Sequence, residues 1–116
     1  MEQQYYYVAV RKDIPIEDAL CQISHASIDA GREFRVPKDT YVCVLQVPSE
    51  HALLYLSRQL HRAGVDHLLQ HEPDASMGYT SLISVPLAGE ARKVFLQYSK
   101  YVYGSDSELV TVQGTP

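Results

Sequence analysis

Hydrophobic and polar positions along the chain alternate between two periods. Residues 5–10 read Tyr-Tyr-Tyr-Val-Ala-Val, an aromatic and β-branched run that predicts a central strand, closed by the charged Arg11-Lys12-Asp13. Ile16, Ala19, Leu20, Ile23, Ala26 and Ala30 then recur at three- and four-residue steps. That spacing predicts a helix over residues 16–30 with one apolar stripe. Pro15 suits its start, and Gly31 suits the left-handed position past its end. Asp18, Gln22, His25 and Asp29 share a second, polar face of this helix. Residues 40–47 predict a second strand. Ser49 then caps a second helix that buries Leu53, Leu56, Leu60 and Ala63 and closes at Gly64. A short third strand is predicted over residues 65–70, a loop over 71–80, and a fourth strand over 81–85, ended by Pro86. A last helix is expected over residues 91–101, with Val94, Phe95, Tyr98 and Tyr101 inward, stopping near Gly104. Residues 105–116 form a C-terminal tail in which 108–113 alternate weakly, as an edge strand would.

This alternation predicts one α/β domain over residues 1–104: a four-stranded mixed β-sheet with α-helices packed on both faces. A helix joining parallel strands is expected to cross over right-handed. A chain of 116 residues with 46% apolar and 21% charged residues suits one core of ordinary globular balance. No stretch approaches the ~20 apolar residues a membrane span needs. Met1-Glu2-Gln3-Gln4 is neither basic nor followed by a signal-type segment, so the expected location is cytoplasmic, with no membrane contact. A formal charge of −4 without a long charge run argues against broad nucleic-acid binding but leaves room for a local basic patch.

Cys21 and Cys43 fall inside apolar-patterned segments and read as buried reduced thiols. His67 and His71 are four apart but flank a strand, so no histidine pair has ligand spacing with a nearby acid, and neither metal nor cofactor is expected. Arg11, Lys12, Arg32, Arg35 and Lys38 form the densest basic set, flanking the first helix. Arg58, His61 and Arg62 lie on the exposed side of the second helix and read as solvated. The chain has nine tyrosines and no tryptophan, with clusters at Tyr5, Tyr6, Tyr7 and at Tyr98, Tyr101, Tyr103. Tyrosine is enriched in interfaces, so this surface suits a homodimer or a protein partner, although a sheet covered on both faces explains it equally.

Two stretches resemble a known family. Val10-Arg11-Lys12-Asp13-Ile14 followed by Cys21-Gln22-Ile23-Ser24-His25-Ala26-Ser27 is similar to the opening strand and Gln-x-x-His-Ala helix of the type II peptidyl-tRNA hydrolases. Thr80-Ser81-Leu82-Ile83-Ser84-Val85-Pro86 resembles that family's Thr-led strand ending in proline, and Asp74-Ala75-Ser76 its Asp-Ala-Gly motif. The resemblance spans about residues 5–101 and implies a peptidyl-tRNA hydrolase type II-like fold. It further implies an ester hydrolase with Gln22, His25, Asp74 and Thr80 as candidate catalytic residues. Arg11, Lys12, Arg32, Arg35 and Lys38 would then contact peptidyl-tRNA or the tRNA acceptor end. The departures are specific. The loop from Asp13 to Gln22 is two residues shorter than in the family and lacks its Gly-Lys pair, and Gly78 stands where the family has threonine. A shortened Asp-x-Pro loop is also similar to an uncharacterised bacterial family sharing the fold. The alternative is therefore a non-catalytic binding or regulatory module acting through a protein–protein interface.

Overall fold

The computed structural model describes residues 2–72 and 77–102. Along the chain come β1 (Tyr5–Arg11), α1 (Ile16–Glu33), β2 (Tyr41–Val47), α2 (Glu50–Arg62), β3 (His67–Glu72), β4 (Gly78–Ser84) and a short 3-10 turn, Gly89–Arg92. The strands form one sheet in the order β2-β1-β4-β3. β1 pairs parallel with β2, while β4 runs antiparallel to both β1 and β3. The sheet is thus mixed, with β1, β2 and β3 pointing the same way.

This order accounts for the layering. From β1 to β2 the chain steps one strand outward. From β2 to β3 it must return across β1 and β4. Two right-handed crossovers in opposite directions place their helices on opposite faces. Ala19, Ala26 and Ala30 of α1 accordingly pack on the face carrying Val8, Val10 and Ile83. Leu53, Leu56 and Leu60 of α2 pack on the other, with Tyr7, Ala9, Leu45, Val47 and Leu82. Residues 7–10 are therefore buried in succession, as expected of a strand covered on both sides.

Ser49 caps α2 as its sequence predicts, its side chain accepting from the Ala52 amide at 3.2 Å. Gly64 follows with φ 72°. The first helix differs from expectation in two respects. It continues through Gly31 to Glu33, and Phe34 ends it in an extended conformation while packing against the α1-face cluster. The buried stripe is also rotated. Gln22 is 4% exposed, whereas Leu20 is 58% exposed. Three alanines let α1 approach the sheet closely, and a hydrogen-bonded glutamine fills the place between them. Cys21 is exposed rather than buried, and Cys43 is half-buried.

The final helix predicted over residues 91–101 does not form. Beyond the 3-10 turn, Phe95 plugs into the α2-face core, its ring stacked on Tyr7 at 4.5 Å. Residues 99–101 then run along the free edge of β2, with Gln46 N donating to Ser99 O and Tyr101 N to Val44 O. The unpaired amides of an edge strand offer more hydrogen bonds than another turn of a short helix. The third and fourth strands also extend into the predicted loop, to Glu72 and from Gly78. Asp74, Tyr103, Gly104 and residues 105–116 lie outside the described residues.

Candidate functional site

A β-bulge shapes the centre of the candidate site. Gln70 pairs with Ser81 and His71 with Tyr79, leaving Thr80 as the extra residue of β4. The bulge breaks the alternation. Thr80 shares the α1 face with its neighbour Ser81, the partner of Val10, and its Oγ1 donates there to Gln22 Oε1 at 2.9 Å, while Tyr79 packs toward the α2-face cluster. Gln22 Nε2 in turn donates to Glu72 Oε2 at 3.1 Å. Thr80, Gln22 and Glu72 thus form a polar chain joining β4, α1 and the end of β3. Thr80 is fully buried and Gln22 nearly so. Beside them, Ser81 Oγ is buried without a hydrogen-bond partner among the described residues.

Two of the four sequence-predicted catalytic residues therefore meet. His25, one turn beyond Gln22, is exposed. Asp74 lies outside the described residues, between Glu72 and Met77. Glu72 is the member that the sequence pattern concealed, because it falls in a stretch read as loop.

The basic set divides. Arg11 closes β1 on the opposite face, where its Nε and Nη2 hold the two oxygens of Asp13 at 2.8 and 3.0 Å. Its Nη1 donates to the carbonyls of Met77 and Tyr79. The hydrogen bond with Arg11 holds the Asp13 carboxyl below its ordinary range and raises the guanidinium above its own. Glu50, in the first turn of α2, accepts from the Tyr79 amide at 2.8 Å and completes this corner. Lys12 donates to the Val102 carbonyl and sits 4.5 Å over the Tyr101 ring. Both cations are engaged within the fold. Arg32, Arg35 and Lys38 are exposed, Arg32 lying 3.7 Å from Asp29.

The amino-terminal tyrosines also turn inward. Tyr5 lies edge-on to Tyr41 at 5.6 Å, and Arg92 covers the Tyr5 ring at 3.7 Å while donating to the Tyr7 hydroxyl at 2.7 Å. Tyr98 donates to Gln59 Oε1 at 3.0 Å.

The fold has a solved counterpart. A protein of unknown function from Agrobacterium tumefaciens strain C58 matches with a TM-score of 0.60 at 12% identity, over 88% of this chain and 100% of that one. The likeness establishes the α/β architecture, a four-stranded mixed sheet with two helices. No protein-family model and no curated protein matches the chain. Among the described residues, no helix is long and apolar enough to cross a membrane.

The chemistry open to the site follows from its bonds. Gln22 has its carbonyl oxygen occupied by Thr80 and an amide proton occupied by Glu72, and it is shielded from solvent. Such a group ties α1 to the ends of β3 and β4.

Proposed function

We propose that this chain is a binding module on a peptidyl-tRNA hydrolase type II-like fold, not a working peptidyl-tRNA hydrolase. The observation that carries the reading is the closed Thr80–Gln22–Glu72 chain. Ester hydrolysis needs a positioned water, a base within hydrogen-bond reach of it, and donors aimed at the developing oxyanion. Here the matching glutamine and threonine bind each other, the matching histidine is in solvent, and Arg11 and Lys12 are held by neighbouring groups. A missing electrostatic donor alone typically costs ~10²–10³ in rate. The family's loop lysine has no counterpart between Asp13 and Gln22. For the binding role, Leu20 and Ile28 on the outer surface of α1 are 58% and 54% exposed, large apolar side chains suited to a protein partner.

The test is peptide release from purified peptidyl-tRNA, with an authentic type II enzyme as positive control. The folded chain is expected to give no release above buffer at concentrations where the control runs to completion. Release abolished by Gln22→Ala or His25→Ala would overturn the reading and restore a hydrolytic site.

A further inference from the structure

The last two turns of α2 carry a separate arrangement. Ser57 Oγ lies 2.8 Å from His67 Nε2, and His67 Nδ1 lies 2.9 Å from the Val65 carbonyl oxygen. A carbonyl only accepts, so in the neutral imidazole the ring proton resides on Nδ1. Nε2 is left as a lone pair, and the Ser57 hydroxyl donates to it. Hydroxyl, base and orienting acceptor stand in the sequence that an activated serine requires.

This is not where a helical serine places its hydroxyl by default. On α1, Ser24 and Ser27 donate to the carbonyls of Leu20 and Ile23, four residues back, each at 2.9 Å. Ser57 instead reaches across to the first residue of β3. Ser57 and His67 are half-buried and line a surface depression together with Arg58, His61 and Arg62. The three residues read as merely solvated in the sequence therefore surround a serine–histidine pair. Among the described residues no carboxylate lines the depression, and Arg58 and Arg62 make that lining positive.

We propose that Ser57 and His67 form a nucleophilic site for small carboxylic esters that carry an anionic group. Ser57 Oγ attacks the acyl carbon as its proton passes to His67 Nε2. The bond to the leaving alcohol breaks, and His67 returns that proton to the departing oxygen. A water, deprotonated by the same nitrogen, then attacks the acyl-serine. The acid leaves and the Ser57 hydroxyl is restored. Arg58 and Arg62, with guanidinium forks suited to carboxylate or phosphate, bind the anionic group at the rim. The Val65 carbonyl fixes the tautomer in place of a carboxylate. This site lies on the α2 face of the sheet, and it does not depend on the closed Gln22 site.

The full chain is treated with a fluorophosphonate probe and the adduct is mapped by mass spectrometry. Attack by Ser57 would expel fluoride and leave the phosphonyl group on Oγ. The expected result is modification at Ser57, lost in Ser57→Ala and slowed about 100-fold or more in His67→Gln. Circular dichroism confirms that both variants are folded. Absence of an adduct at Ser57 in the folded wild-type chain would overturn the proposal, as would equal labelling rates with and without His67. The substrate class is read from mono-p-nitrophenyl succinate against p-nitrophenyl acetate. A preference for the succinate that falls at least 10-fold in Arg58→Ala/Arg62→Ala is expected, and a preference for the neutral ester overturns the anionic assignment.

Discussion

Thr80 Oγ1 and Gln22 Oε1 meet at 2.9 Å although 58 positions separate them in the chain. The bond exists because a bulge turns Thr80 out of its strand's alternation. It fastens α1 to the sheet at the one polar place along the helix's buried side.

Thr80→Val should destabilise the fold by about 1–3 kcal/mol, because it leaves a buried amide oxygen without its donor. Replacing both partners, as Thr80→Val/Gln22→Leu, should cost less than the sum of the single changes. Urea titrations of the four proteins in a double-mutant cycle measure the coupling, which should appear in the midpoint with little change in slope.

Asp13 gives the fold an acid-sensitive corner. Its carboxyl titrates below the ordinary range, chiefly through its hydrogen bond to Arg11. A depressed folded value contributes stability above the unfolded aspartate range, near pH ~4, and that stability is lost as pH falls through the lowered folded value. Asp13 is 42% exposed, so solvent screening keeps the effect modest. Thermal melts at pH 7 and pH 3 should differ less for Asp13→Asn than for the wild-type chain.

Phe95 anchors a segment without regular helix of its own. It is 1% exposed and stacks on Tyr7 with 9° between the rings. Phe95→Ala should cost about 3–5 kcal/mol. Amides of residues 99–101 along β2 should also exchange faster with deuterium than in the wild type.

Two glycines should respond with opposite signs. Gly31 lies within α1 with nothing within 4 Å of an added Cβ, so Gly31→Ala should stabilise by about 0.5–1 kcal/mol. Gly78 has φ 72°, and an added Cβ would strike the Glu50 carboxylate, which holds the Tyr79 amide. Gly78→Ala should therefore destabilise by more than the ~1 kcal/mol of a left-handed alanine alone. Denaturant midpoints of the two variants test both signs.

Local chemistry by itself determined much of this protein. The four strands, the two long helices, the Ser49 cap and the leucine stripe of α2 all follow from periods of two and 3.6 and from side chains acting within one turn of themselves. Both-face coverage of β1 was legible in its unbroken apolar run. The identity of Gln22 and Thr80 as a pair was legible only as two separate candidates. Tertiary structure decided the rest, because the deciding groups lie far apart in sequence. The bulge that turns Thr80 toward α1 depends on the pairing of β3 with β4. The burial of Gln22 and exposure of Leu20 depend on which face of α1 meets the sheet, and alanines on either side make that choice at little cost in area. Arg11 became a structural cation because Asp13 and the carbonyls of Met77 and Tyr79 converge on it. Residues 99–101 became a cover for β2 because an edge strand's unpaired amides outweigh the weak helical preference of that segment. Ser57 and His67 met only because α2 and β3 fold back on each other, a juxtaposition that no spacing along the chain encodes.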